Sequence, residues 1–383
     1  MPIPLLLFGV VLFIPCLSAQ TNTVSPRITT RMQEMVDTKQ IPGAVTLVAD
    51  KQGITHLQAI GNADAAGTRP LQTDSIFWIA SMTKPITGTA ILMLQEEGKL
   101  RVEDLAGKYI PELAGLKTPS GQPANLTLKH LMTHSSGLPE ATVAESAAAR
   151  KLADLIPAYA NKPMQFEPGS KWQYCQSGIN TLGRIVEVVS GQPFEKFLAS
   201  RLFEPLGMKD TTFYVRPDQM ARLVTPAKRE SDGSLSDAAI SLLQGKPPTS
   251  KDRYPAANGG LFSTASDYAR FARMILNNGT LDGKRYLRPE SVLQMTKVQS
   301  GDLKTGFTPG NGWGLTWCVI REPQGVSAML SPGTHGHGGA YGTQAWIDPV
   351  KGVVLILMVQ RSNLGNSDDS LVRLAFQQAA MNP

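Results

Sequence analysis

The chain has 383 residues, 42% hydrophobic and 18% charged, with 35 Gly and 27 Pro; these globular proportions exclude a disordered or fibrous chain. A formal charge of +6 is mild for this length. No Lys/Arg run reaches the density of a nucleic-acid groove and no basic face alternates with aromatic residues, so nucleic acid is excluded as an expected partner.

At the N-terminus, Leu5 to Ile14 form an apolar run that leads into Pro15-Cys16-Leu17-Ser18-Ala19. Its length suits a secretory signal peptide, placed at 1–19, and is short for a membrane span. The chain is therefore expected to be periplasmic or secreted, with membrane contact only through this segment if it stays uncleaved. No Lys or Arg precedes the run, and Pro15 is a poor context for lipidation of Cys16. Without that segment, the cysteines are Cys175 and Cys318, far apart and outside any CxxC or Cys/His cluster. That pattern gives neither a disulfide framework nor a zinc site, and two buried thiols are expected.

Ser25 to Lys39 carries Ile28, Met32, Met35 and Val36 at helical spacing, stopped by Pro42-Gly43. Ala44 to Ala49 and Ile54 to Ile60 follow as a hairpin across Lys51-Gln52-Gly53. Near the other end, Thr343 to Ile347 and Val353 to Val359 form a second hairpin, followed by a helix from Asp369 to Met381. Both ends thus supply a helix and a hairpin, while the middle is mostly helical. Sequential hairpins without βαβ alternation argue against a doubly wound sheet. The expectation is an α/β chain of the α+β type, with one antiparallel sheet built from both ends, flanked by helices. The sheet body would span about 25–80 and 255–381, and a helical lobe about 81–254. Within that lobe, Pro139 to Glu167 and Pro226 to Tyr254 read as surface excursions.

The first chemical signal is Ser81-Met82-Thr83-Lys84. The apolar, β-prone Ile76 to Ala80 precedes it, and Ile86, Ala90, Ile91 and Leu94 repeat at helical spacing after it, up to Gly98. Pro85 fits only if the helix begins at or just before Ser81. Ser81 then stands at a helix N-terminus with Lys84 one turn on, on the same face. A serine hydroxyl needs a base to become a nucleophile, and a buried lysine can supply one. Taken alone, Ser-x-x-Lys is common by chance and describes an N-capping serine and a solvated lysine equally well.

Two later stretches change that balance. Glu167-Pro168-Gly169 opens a turn that presents Tyr174 just before an apolar helix through Leu182, Ile185 and Val188. Gly336-His337-Gly338-Gly339-Ala340 precedes the last hairpin, where glycines let a substrate lie against a strand edge and an N–H can face an oxyanion. No G-x-S-x-G occurs, so an α/β-hydrolase elbow is not supported. His130 and His134 read as structural, and Trp172, Trp313 and Trp317 as cleft or core residues.

The order Ser-x-x-Lys, Tyr-x-(Asn), His-x-Gly resembles the serine β-lactamase and D-Ala-D-Ala peptidase superfamily. It is most similar to the class C-like branch with the family VIII carboxylesterases. Leu131 to Leu138, Phe203 to Met208 and Asn258 to Thr264 add matching blocks in the same order, from about Ser25 to the last helix. The resemblance implies that fold and an acyl-serine hydrolase without metal or organic cofactor, acting on a small-molecule ester, β-lactam or peptide. Ser81 would attack the carbonyl, Lys84 and Tyr174 would move protons, and the N–H groups of Ser81 and Ala340 would hold the oxyanion. His337, Gly338, Gly339 and Gln176 would line the substrate site. His337 stands where many relatives carry lysine, Gly338 where they carry Thr or Ser, and Gln176 in place of Asn, an amide on a longer arm. A neutral histidine holds a carboxylate less firmly than lysine, which favours esters. The expected activity is therefore a carboxylesterase. The alternatives are a β-lactamase or D-alanyl-D-alanine carboxypeptidase, or a catalytically quiet penicillin-binding-like receptor.

Overall fold

Both ends of the chain enter one sheet because each carries strands apolar enough to be covered on both faces. The computed structural model describes residues 24–381; the segment expected to be a signal peptide, with Cys16, lies outside them. Two strands come early, β1 (Gly43–Ala49) and β2 (Ile54–Gly61). Five come late: β3 (Asn311–Trp313), β4 (Cys318–Ile320), β5 (His335–Gly338), β6 (Gln344–Asp348) and β7 (Val353–Met358). Their order across the sheet is β2-β1-β7-β6-β5-β4-β3, antiparallel throughout. The two expected hairpins are joined by the register Val45↔Met358 to Ala49↔Val354.

Strand periodicity divides the sheet's side chains between two apolar layers. Val354, Ile356 and Met358 face one layer with Val45 and Leu47. Leu355, Leu357 and Val359 face the other, with Ile28 and Met32 of helix α1 (Pro26–Asp37) and Val372 and Phe376 of the C-terminal helix. Burial on both faces explains why Val353 to Val359 is a continuous apolar run rather than an alternating one.

The first layer is completed by α2 (Thr83–Glu96), α3 (Ser177–Ser190) and α4 (Ala265–Leu276), with α5 (Leu371–Met381) closing the second. The α4 helix starts where Thr264 accepts the Asp267 N–H. Of the β-prone run before Ser81, only Phe77–Trp78 forms a strand, paired with Phe262–Ser263. That short pair ties the approach to Ser81 to the segment carrying Asn258.

Two expectations need correction. Residues 139–167 are more than a surface excursion: Leu152, Leu155, Ile156 and Tyr159 are buried in the main core. Residues 226–254 contain a hairpin, Ala227–Arg229 with Leu235–Asp237, and Ala227 bridges to Arg361.

Candidate active site

The strand before Ser81 ends at Trp78, and Ala80, with a φ of +45°, turns the chain through the left-handed region. Ala80–Met82 form a 3₁₀ turn, and α2 proper begins at Thr83 with Pro85 in its first turn. Ser81 therefore lies in the turn that leads into the helix, with Lys84 on the same side.

Lys84 is wholly buried. Its Nζ lies 3.0 Å from Ser81 Oγ, 3.0 Å from Gln176 Oε1 and 2.7 Å from the Asn258 carbonyl oxygen. Burial brings its pKa down to about 7, against the opposing pull of Cys175, Glu140 and Asp368. The lysine is thus poised between amine and ammonium near neutral pH.

Tyr174 enters from the loop before α3. Lys84 Nζ sits 4.6 Å from the centroid of its ring. Burial pushes the phenol well above its ordinary pKa, while the adjoining Ser81 hydroxyl acts to lower it. The ring is held by His134 at 4.4 Å, Phe307 at 4.8 Å and Trp313 at 6.0 Å between centroids. His134 has φ +58°, and its Nδ1 accepts the Cys175 N–H at 3.2 Å, so Nε2 carries the ring hydrogen. Burial, reinforced by Lys84 and His337, keeps this imidazole neutral. His134 therefore buttresses Tyr174, and Trp172 joins the same aromatic group at 6.2 Å.

Gln176 fills its place despite the longer arm. Its Oε1 accepts from both Lys84 Nζ and Asn258 Nδ2, the latter at 2.8 Å. The start of α3 is fixed by Glu140, whose carboxylate accepts the N–H groups of Gln176 and Ser177, the second at 3.0 Å. A carboxylate on two orphan donors at a helix N-terminus is a stabilising arrangement. Neither Glu140 nor Asn258 was singled out from sequence as a site residue. Asn258 sat within a matched block; Glu140 carried no local signal.

The expected substrate-side residues lie on β5 and the turn after it. His337 Nδ1–H donates to the Gly338 carbonyl at 2.7 Å, which leaves Nε2 without a partner among the described residues. Burial, with Lys84 adding to it, lowers the His337 pKa to about 3. Gly339 is required by close approach, since a Cβ there would stand 2.7 Å from the Ile79 carbonyl oxygen. Its N–H donates to Thr343 at 2.7 Å. The close approach of Gly339 to Ile79 and Ala80 lays the end of β5 beside the turn bearing Ser81, with Ala340 exposed just beyond.

The remaining candidates stand apart. His130 caps the short helix Leu128–Met132 together with Thr127, and Trp317 stacks on Phe271 in the core. Cys175 and Cys318 are buried free thiols. A cavity of about 400 Å³ lined by Ile275, Leu293, Val319 and His335 holds none of the groups around Ser81.

A family model described as Beta-lactamase matches residues 28–380. An uncharacterized protein of Mycobacterium tuberculosis is 33% identical over 358 residues, covering 86% of this chain and 88% of that protein. Esterase EstB of Burkholderia gladioli is 26% identical over 383 residues, covering 93% and 95%. Among solved structures, EstCE1, described as a hydrolase with promiscuous acyltransferase activity, superposes with a TM-score of 0.78 at 20% identity, covering 93% and 97%. At that identity the last comparison speaks to the fold alone.

Proposed function

We propose, from the premise that this chain belongs to the Beta-lactamase family and is a serine hydrolase, that it is a carboxylesterase working through an acyl-Ser81 intermediate. The observation that carries this reading is the 3.0 Å approach of Lys84 Nζ to Ser81 Oγ, with two further acceptors on the same nitrogen. Gln176 Oε1 and the Asn258 carbonyl can only accept. A neutral amine has two hydrogens, which these two oxygens take, so its lone pair is left for the Ser81 hydroxyl. After proton transfer the ammonium has three hydrogens and three oxygens around it. The site accommodates both protonation states without rearrangement.

Attack of Ser81 Oγ on the ester carbon moves the hydroxyl proton to Lys84 and forms a tetrahedral oxyanion. The N–H groups of Ser81 and Ala340 are assigned to that oxyanion. As the C–O bond to the alcohol breaks, Tyr174 donates its proton to the leaving oxygen and takes one back from Lys84. A phenol whose pKa is raised holds its proton until this step. Water then attacks the acyl carbon, again yielding its proton to the Lys84–Tyr174 pair, and Ser81 is released. Esters are favoured over β-lactams because His337, neutral above a pKa of about 3, offers no charge to a substrate carboxylate. The likeness to Esterase EstB points the same way.

The test is incubation of the purified chain with p-nitrophenyl butyrate, nitrocefin and a fluorophosphonate probe. Butyrate turnover together with a phosphonylated Ser81 peptide in the mass spectrum is the expected result. Absence of any adduct on Ser81 would overturn the reading, and an adduct without turnover would favour the quiet receptor.

Glu140→Gln supplies a second check. Removing this carboxylate loosens Gln176 and takes an anion away from Lys84. The expected loss in kcat/KM is about tenfold, as for misplacement of a positioning group. The acid limb of the pH profile should also move to lower pH, because the ammonium loses a stabilising neighbour. An unmoved limb would reduce Glu140 to a purely structural cap.

A further inference from the structure

Beside His337, at the end of β5, a carboxylate takes the room that a side chain would need. A Cβ placed on Gly338 would overlap Asp368 Oδ1. Asp368 belongs to the turn Ser367–Asp369 that leads into α5. The turn is anchored on each side: the Asp368 N–H donates to Asn366 Oδ1 at 3.1 Å, and Arg373 donates to the Asp368 carbonyl at 2.6 Å. Asn366 Nδ2 donates to the Phe307 carbonyl at 2.7 Å, which links the turn to the ring that packs on Tyr174. The Asp368 Oδ1 accepts from Gln344 Nε2 at 3.2 Å.

Arg373 is a full cation beside this carboxylate, while the other groups around it carry little positive charge. His134 and His337 are neutral. Lys84 carries only part of a charge at pH 7 and loses it as the pH rises. Arg373 places its guanidinium against the Asp368 carbonyl, Gln377 Oε1 and the face of Trp346, 4.0 Å from that ring's centroid. The Asp368 charge is felt by Lys84 and Tyr174, as it is by Arg373 and Cys318. Burial raises the Asp368 pKa, while Arg373, Gln344 and Lys84 act to keep it ionised.

We propose that Asp368 is a specificity residue, which rejects substrates with a carboxylate near the scissile carbonyl and directs the enzyme to uncharged or cationic esters. This rests on the acyl-serine reading above. It makes β-lactams and peptides ending in a free carboxylate poor substrates because of like-charge repulsion in a poorly solvated cleft.

The test compares two acetyl esters of one shape, 3-acetoxybenzamide and 3-acetoxybenzoate, at pH 8. The wild-type protein is expected to prefer the uncharged ester by about a hundredfold in kcat/KM, and to leave nitrocefin nearly untouched. In Asp368→Asn the preference should shrink at least about tenfold, mainly through a lower KM for the anion. Asp369→Asn, which removes the same charge from the exposed neighbouring residue, should change the preference less than about twofold. Equal rates for both esters in the wild type would overturn the proposal whatever the variants do. Equal shifts from the two variants would also overturn it, since only a diffuse field would then be at work. Loss of all Ser81-dependent turnover would instead remove the acyl-serine reading, and this proposal with it.

Discussion

Ser81→Ala is expected to lower kcat/KM for p-nitrophenyl butyrate by about 10⁴-fold or more while leaving thermal stability nearly unchanged. The hydroxyl supplies the bond-forming oxygen, and the remaining groups only polarise and position. Its removal costs the fold little, since Ser81 is partly exposed and its Oγ bonds only to the site groups Lys84 and Tyr174 among the described residues. Progress curves and a melting curve on the same preparation decide the matter. Turnover retained within about tenfold would mean that another nucleophile or a bound water performs the chemistry.

Lys84 gives the second large effect, and one with an unusual sign. Lys84→Met should cost about 10³-fold in kcat/KM, because proton transfer would lose its base. In the wild type, kcat/KM should rise with pH through an inflection near 7, the pKa of Lys84, falling about tenfold per unit below it. A profile flat between pH 6 and 8 would exclude Lys84 as the base. The same residue should destabilise the fold. Its pKa is about 7 in the folded chain against an ordinary 10.5. Between those values the unfolded chain binds a proton that the folded one does not, so stability falls as pH drops from about 10.5 to about 7 and then levels off. The accumulated cost is on the order of a few kcal/mol. Lys84→Met lacks it, so the variant should melt above the wild type at pH 7 and lose that advantage towards pH 10. A constant offset across this range would show that packing, not titration, separates the two.

What the sequence disclosed follows from the range of the interactions involved. Ser81 and Lys84 are neighbours on one helical turn, and Tyr174 sits directly before an apolar helix, so spacing alone points to them. The hairpins of residues 43–61 and 344–358 show themselves through apolar runs that only a covered sheet can use. The strands Asn311–Trp313 and His335–Gly338 are short and rich in Gly and His, and their pairing comes from their neighbours rather than from propensity. Glu140 and Asp368 reach the site from segments far away in sequence, and no local pattern marks them; Asn258 shows only as part of a matched block. The extra methylene of Gln176 still lets its amide oxygen reach Lys84 and Asn258, a reach that residue type alone does not specify. Residues 139–167 looked peripheral because their buried side chains are separated by polar and small residues.

The pairing of β1 with β7 has a bearing on biosynthesis. Residue 45 finds its partner at residue 358, so the ribosome must deliver almost the whole message before the sheet can close. Such distant closure is slow, since most of the chain must be held in a loop before the ladder rewards it. A nascent or C-terminally clipped chain should therefore be inert, and hydrolysis would serve as a readout of complete synthesis.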